Sequence, residues 1–305
     1  MTKILEEELS DIVGTKHIIM TTSATAALYL AIEADKRIKK YDEGTVVIPD
    51  LTFVATKNAV ELAGLKVEYC DVNTDSFLMN YHLPSYKKHP RIVIPVNLLG
   101  RGVTIYSDGI STIICDNAGC LGSHVPNGDV GCYSLQANKM INCGQGGFCA
   151  TDDDEYARVI REIKDFGRTN KNQNDTIGFN FKFNDIQAAV TLGQLEQLNT
   201  RKRLHIRQYT DYKDSLWKYG KFPNFNFVGE VPLWIEFITS KRDELAVFLG
   251  RRGIEARKPW KPFQGLPNSR YYYENCLWLP NGTSLSYKDQ KKVIETIKEF
   301  YNERI

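Results

Sequence analysis

Seven short apolar runs, KHIIMT, TVVIPD, KVEYCDV, RIVIPVN, TIICD, GCYSL and GFCAT, punctuate the first half of the chain. They constrain the fold more than any other feature. Each is rich in β-branched residues and bounded by Gly, Pro, Asn or Asp, which end strands. Their apolarity is continuous rather than alternating, the pattern of strands covered on both faces. Helical segments fall between them. Ile4, Leu5, Leu9, Ile12 and Val13 share a helical face that stops at Gly14. Ser23 stands as an N-cap before Ala26, Ala27, Leu30, Ala31 and Ala34, and the segment from Val54 to Ala63 closes at Gly64. Tyr156, Val159, Ile160, Ile163 and Phe166 follow the acidic DDDE and end at Gly167. Interleaved strands and helices predict the α/β class, with a doubly wound, mostly parallel seven-stranded sheet forming a large domain over residues 1–196.

Residues 168–184, RTNKNQNDTIGFNFKFN, are polar and Asn-rich and read as an ordered functional loop or a cross-subunit segment. A helix opens after them at Asn184 or Asp185. Beyond it the pattern becomes a helix around 200–219, a strand VPLWIEFI, a helix over 241–252 capped by Gly253, and a last helix from Ser286. This predicts a smaller α+β domain over residues 197–305. A chain of 305 residues has room for both.

The formal charge of +2 comes from well-mixed acids and bases without a basic run, which argues against a nucleic-acid partner. The start, MTKILEEELSDIVG, has no apolar leader core, and no window reaches the roughly eighteen apolar residues of a membrane span. A cytoplasmic protein with no membrane partner is expected. Seven cysteines without a C-x-x-C read as reduced, buried thiols, and five scattered histidines predict no metal site.

Chemistry concentrates in Gly131 to Gly147, GCYSLQANKMINCGQGG. Lys139 falls on a short loop between buried strands, where desolvation lowers an amine's pKa and makes it nucleophilic toward a carbonyl. Ligands of such sheets gather at the carboxyl ends of the strands. Asp116 ends TIICD, Ser134 lies near the end of GCYSL, and the turn at Ser23, Ala24 and Thr25 offers helix N–H groups to an anion. Together these meet the needs of pyridoxal 5'-phosphate: an anion site, an imine-forming lysine and a carboxylate for the pyridinium nitrogen. Taken singly, Lys139 reads as a solvated loop lysine, Ser23 and Asp116 as caps, Phe53 as core and Asn180 as a turn residue. The GQGG run leads into a strand, not a helix, so it lacks the context of a dinucleotide loop.

TTSATAAL, IPDLTFVATKNAVELAGLKVEYCDV, ICDNAGCLGS, GDVGCYSLQANKMINCGQGG and GFNFKFNDIQAAV, in this order, resemble the DegT/StrS nucleotide-sugar aminotransferases, which are fold type I pyridoxal-phosphate enzymes. The resemblance spans nearly the whole chain, including GRRGIEAR and CLWLPNGTSLS. It implies that Lys139 is the cofactor lysine, Asp116 the pyridinium partner and Ser134 a phosphate ligand. Ala24 and Thr25 would form the phosphate turn, Phe53 would lie beside the ring, and Asn180 would reach the phosphate from the other subunit of a homodimer with shared sites. The implied reaction moves an amino group from an amino acid, with L-glutamate the expected donor, to a nucleotide-linked keto sugar, Lys139 acting as general acid and base. A sugar dehydratase using the same cofactor is one alternative, although such relatives are expected to carry histidine where Lys139 stands. A catalytically silent, cofactor-binding regulatory protein is another. Three departures from the family pattern stand out: Ala24 replaces a glycine, Gly119 replaces a Gln or His, and the few dozen residues that usually precede the first helix are not found, so a more open pocket or an unusual substrate is expected.

Overall fold

The computed structural model describes residues 1–80, 90–104, 109–170 and 173–302. All seven apolar runs contribute strands to one sheet: β1 (His17–Thr21), β2 (Thr45–Pro49), β3 (Lys66–Cys70), β4 (Ile92–Val93), β5 (Thr112–Asp116), β6 (Val130–Ser134) and β7 (Gly147–Thr151), in spatial order β1-β7-β6-β5-β4-β2-β3. Only β7 runs against its neighbours, pairing antiparallel with both β1 and β6. The other pairings are parallel.

Both faces are covered, as the continuous apolarity requires. On one, Leu5 and Leu9 of α1 (Thr2–Val13) pack with Tyr133 and Phe148 of the sheet. On the other, Ala27, Leu30 and Ala31 of α2 (Ala24–Lys39) meet Ala59 and Val60 of α3 (Val54–Leu62) and Val159 and Ile160 of α4 (Asp154–Lys164). Each fully buried Leu, Ile or Val in these layers stabilises the fold by about 1.5–3 kcal/mol. Local signals set the helix ends. Gly14 takes the left-handed conformation at φ 72° after α1, and the Ser23 hydroxyl accepts the Ala26 N–H at 3.1 Å to start α2. α4 stops at Lys164, short of the predicted Phe166, because the following backbone pairs elsewhere: the Phe166 N–H donates to the Phe179 carbonyl at 3.0 Å. None of the seven cysteines forms a disulfide, and all but Cys143 are buried.

Part of the polar 168–184 segment forms an exposed hairpin of β8 (Arg168–Asn170) and β9 (Gln173–Asn174). The Asn184 side chain then caps α5 (Asp185–Leu195), accepting the Gln187 N–H. The C-terminal part gathers α6 (Leu198–Leu216), β10 (Ile235–Ile238), α7 (Arg242–Arg251), β11 (Cys276–Leu279) and α9 (Tyr287–Asn302) around a separate core that includes Tyr212, Phe237, Leu245, Leu277 and Phe300, while α8 (Pro267–Asn275) places Tyr272 in the core of the sheet. β10 and β11 pair antiparallel. β10 is half the length of the VPLWIEFI run, since Leu233 spends its N–H on the Leu99 carbonyl at 2.9 Å. α8 and β11 are additions to the sequence expectation. Pro267 at the helix start was the signal for α8. Among the described residues, no helix is long and apolar enough to cross a membrane.

Two carboxylates at the sheet edge hold the C-terminal part. Asp50, after β2, accepts the N–H groups of Gln264 at 2.6 Å and Leu266 at 2.8 Å. Asp71, after β3, accepts from Asn268 N, Ser269 N and Ser269 Oγ at 2.8–2.9 Å. Burial alone would raise the Asp71 pKa, but hydrogen bonds from Asn268, Ser269 and Val72 outweigh it and hold the carboxyl below its ordinary value. A depressed folded pKa gives stability that is complete above the unfolded value and lost as pH falls through the folded one. Asp71→Asn is therefore expected to cost about 1 kcal/mol in urea unfolding near neutral pH, solvent screening reducing the full value of a charged hydrogen bond. The gap from wild type should narrow below about pH 4. A gap of constant size down to acid pH would show that the charge of Asp71 contributes nothing.

Candidate active site

The carboxyl ends of the parallel strands, the start of α2 and the loop after β6 enclose a cavity of about 220 Å³. Of the residues singled out from the sequence, Ala24, Thr25, Phe53, Asp116, Ser134 and Lys139 all line it. Asn180 does not: it is exposed and bridges to Asp165. Phe53 is half exposed at the cavity wall and not a core residue.

Lys139 is held by a laced loop. The Leu135 N–H donates to Gly146 O at 2.9 Å, Ala137 N to Gly144 O at 3.0 Å, and Lys139 N to Gln136 O at 2.9 Å. Burial pulls the Lys139 amine below the usual lysine range, and the charge of Asp116 acts in the opposite direction. Asp116 itself is only 5% exposed. Its Oδ2 accepts the Thr56 hydroxyl at 2.7 Å and its Oδ1 the Ala118 N–H at 3.1 Å. Burial raises its pKa, while those bonds and Lys139 lower it. Among the described residues Asp116 forms no ion pair. Among the described residues the site thus holds a desolvated carboxyl and a desolvated amine that feel each other's charge without forming an ion pair.

The opposite end suits an anion. At a helix start the first N–H groups have no intrahelical acceptor. Ser23 Oγ satisfies Ala26, which leaves the N–H groups of Ala24 and Thr25 at the cavity. β7 begins against this turn, and a Cβ on Gly147 would lie 2.5 Å from Ala24 N, so glycine is the one residue that lets the strand pass. Ala24 in place of a glycine leaves the turn intact, because its methyl is almost wholly buried.

Several residues of the site escaped sequence reasoning, one of them behind the cavity wall and the others lining it. Thr56, which holds Asp116, lies one helical turn after Phe53, and that spacing was its only local signal. Trp234 and Trp260 close the cavity from the C-terminal part, with ring centroids of Phe53 and Trp260 5.5 Å apart and of Trp234 and Trp260 5.8 Å apart. Gly119 also lines the cavity, and the side chain of Leu233 takes up its empty side, 3.3 Å from where a Cβ would stand.

Fold and cavity together define an α/β enzyme with its site at the carboxyl edge of the sheet. The profile of the DegT/DnrJ/EryC1/StrS aminotransferase family matches residues 1–298, and the chain belongs to that family. A DegT DnrJ EryC1 StrS aminotransferase from Brucella abortus is similar at 26% identity, with 98% of this chain and 90% of that chain covered and a TM-score of 0.89. Two further solved structures share the fold. Helicobacter pylori PseC, an aminotransferase involved in the biosynthesis of pseudoaminic acid, is 18% identical over 99% of this chain and 91% of that chain, with a TM-score of 0.87. GDP-4-keto-6-deoxymannose-3-dehydratase is 19% identical over 97% and 92%, with a TM-score of 0.85. The fold is that of the fold type I aminotransferases.

Proposed function

We propose that this aminotransferase binds pyridoxal 5'-phosphate and transfers an amino group from an amino acid, L-glutamate in first place, to the keto group of a nucleotide-linked sugar. The observation that carries the reading is the pairing of a desolvated Lys139 amine with a buried, unpaired Asp116 carboxyl in one cavity that also presents a helix N-terminus.

These residues fit the cofactor. Asp116 suits a protonated pyridine nitrogen, which would supply the counter-charge that the protein leaves out. The N–H groups of Ala24 and Thr25 and the Ser134 hydroxyl suit a phosphate, Phe53 a ring edge, and Lys139 covalent attachment to an aldehyde carbon. When bound, the cofactor supplies an electron sink for the carbanion at the substrate's α-carbon. The protein does the rest. Thr56 and the Ala118 N–H keep Asp116 aimed and favour its charged form. Lys139, with its lowered pKa, takes the proton from the donor α-carbon as general base and returns one as general acid.

The assembly is read as a cytoplasmic homodimer with residues 1–196 and 197–305 as its two domains, Asn180 of the partner subunit completing the phosphate site. Support comes from the exposure of Asn180, which does not line the cavity of its own chain, and from exposed apolar residues near it in sequence: Ile177 is 80% exposed and Ile186 79%. Ile186 and Val190 share a face of α5, and such apolar patches mark interfaces. The dehydratase alternative is disfavoured by Lys139 itself.

The deciding experiment adds L-glutamate to the cofactor-loaded protein and follows the bound chromophore. Conversion to the amine form with release of one equivalent of 2-oxoglutarate is expected, and a screen of nucleotide keto sugars by mass spectrometry then names the acceptor. Bound cofactor that no amino acid converts would favour the silent binding protein.

A further inference from the structure

The turn that carries Leu98 and Leu99 into the cavity wall is fastened to the lead-in of β10 along its whole length. Gly102 N donates to Glu230 Oε1 at 2.7 Å and Leu233 N to Leu99 O at 2.9 Å. Gly100 passes so close that a Cβ would lie 1.9 Å from Val231 O. Leu99 is held at φ 53°, a left-handed conformation that a branched side chain adopts only when its surroundings impose it. Beside it, Arg101 grips Glu236 through both guanidinium nitrogens, with Nη2 to Oε1 at 2.9 Å, and each residue is only 1% exposed.

A buried ion pair contributes little net stability, because desolvation offsets the attraction. Its value lies in geometry, and here the geometry leads to the cavity. Tyr272 Oη donates to Glu236 Oε1 at 2.6 Å, and Trp278 Nε1 donates to Tyr272 Oη at 3.1 Å. The Trp278 ring lies 4.5 Å from that of Trp234 and 5.0 Å from that of Trp260, the two tryptophans that line the cavity. We propose that Arg101, Glu236 and Tyr272 are positioning residues which, through the Trp278 indole, fix Trp234 and Trp260 as a rigid wall and so set how tightly the cavity holds its substrates. The kinetic part of this inference rests on the aminotransferase reading above; the structural part does not.

Tyr272→Phe is the sharpest test, since it keeps the ion pair and removes only the hydroxyl that links it to Trp278. The measurements use a Trp217→Phe background, because Trp217 is largely exposed and would mask the wall. With far-UV circular dichroism unchanged, acrylamide quenching of the remaining tryptophans should rise and their near-UV signal weaken. In the half-reaction with L-glutamate, KM should rise about 10-fold while the limiting rate stays within about two-fold, the signature of lost uniform binding. Trp278→Phe should reproduce the KM effect. The double variant should be no worse than either single one, because both cut the same chain of contacts. Unchanged quenching in a folded Tyr272→Phe protein overturns the proposal, as does a loss confined to the limiting rate. If L-glutamate reacts with neither protein, the donor assignment fails and quenching alone decides the positioning role.

Discussion

Lys139→Ala is expected to lose turnover by at least about 10²–10⁴-fold, the usual size of a general acid–base contribution. The loss should exceed that of any other lysine substitution, because among the described residues Lys139 alone combines a cavity position, burial and the neighbouring charge of Asp116. Its loop is closed by backbone bonds that do not involve the side chain, so the variant should fold. Borohydride reduction of the native protein followed by peptide mapping should place the cofactor on Lys139, and the variant should carry no label. A label on a different lysine would end the assignment. Residual activity near the native level would leave the proton transfer to another group.

The second large effect concerns the proposed sharing of the site between subunits. Asn180→Asp should be nearly inactive alone, since a carboxylate facing the cofactor phosphate repels it strongly at short range. Mixed with Lys139→Ala under conditions of subunit exchange, it should regain activity. In the heterodimer one site carries both lesions and the other neither. If Asn180 serves its own chain, every heterodimer site carries one lesion and the mixture stays inactive, so proven exchange without recovery would refute the shared site.

Most of the frame was legible in the sequence because its determinants are local. The seven runs mark the strands, and Gly14, Ser23 and Asn184 act within a few residues of themselves. Asp116, Ser134 and Lys139 stood out because strand ends and loops can be read in order. What stayed hidden depends on partners far along the chain. Thr56 bonds Asp116 across 60 positions and Arg101 pairs Glu236 across 135. The tryptophan wall is built from three separate segments, each unremarkable alone. Gly119 illustrates the same limit: the sequence showed a missing side chain, whereas the fold shows Leu233 standing beside its place.

The reversed direction of β7 has a consequence for how this chain can vary. Because β7 returns beside β6, with Ser134 opposite Gly147, the lysine loop is a hairpin whose two feet stand at the same edge of the sheet. Its length is free within wide bounds, since lengthening a closed loop adds little entropy cost. Its feet are not free. A slip of one residue in β7 would turn every side chain of the strand to the other face. It would also bring Phe148 to the place where Gly147 clears Ala24 N with no room for a Cβ. An insertion in the loop therefore leaves its feet and the anion turn in register, which an insertion in β7 cannot, and the bonds that hold Lys139 are what limit where the loop can grow.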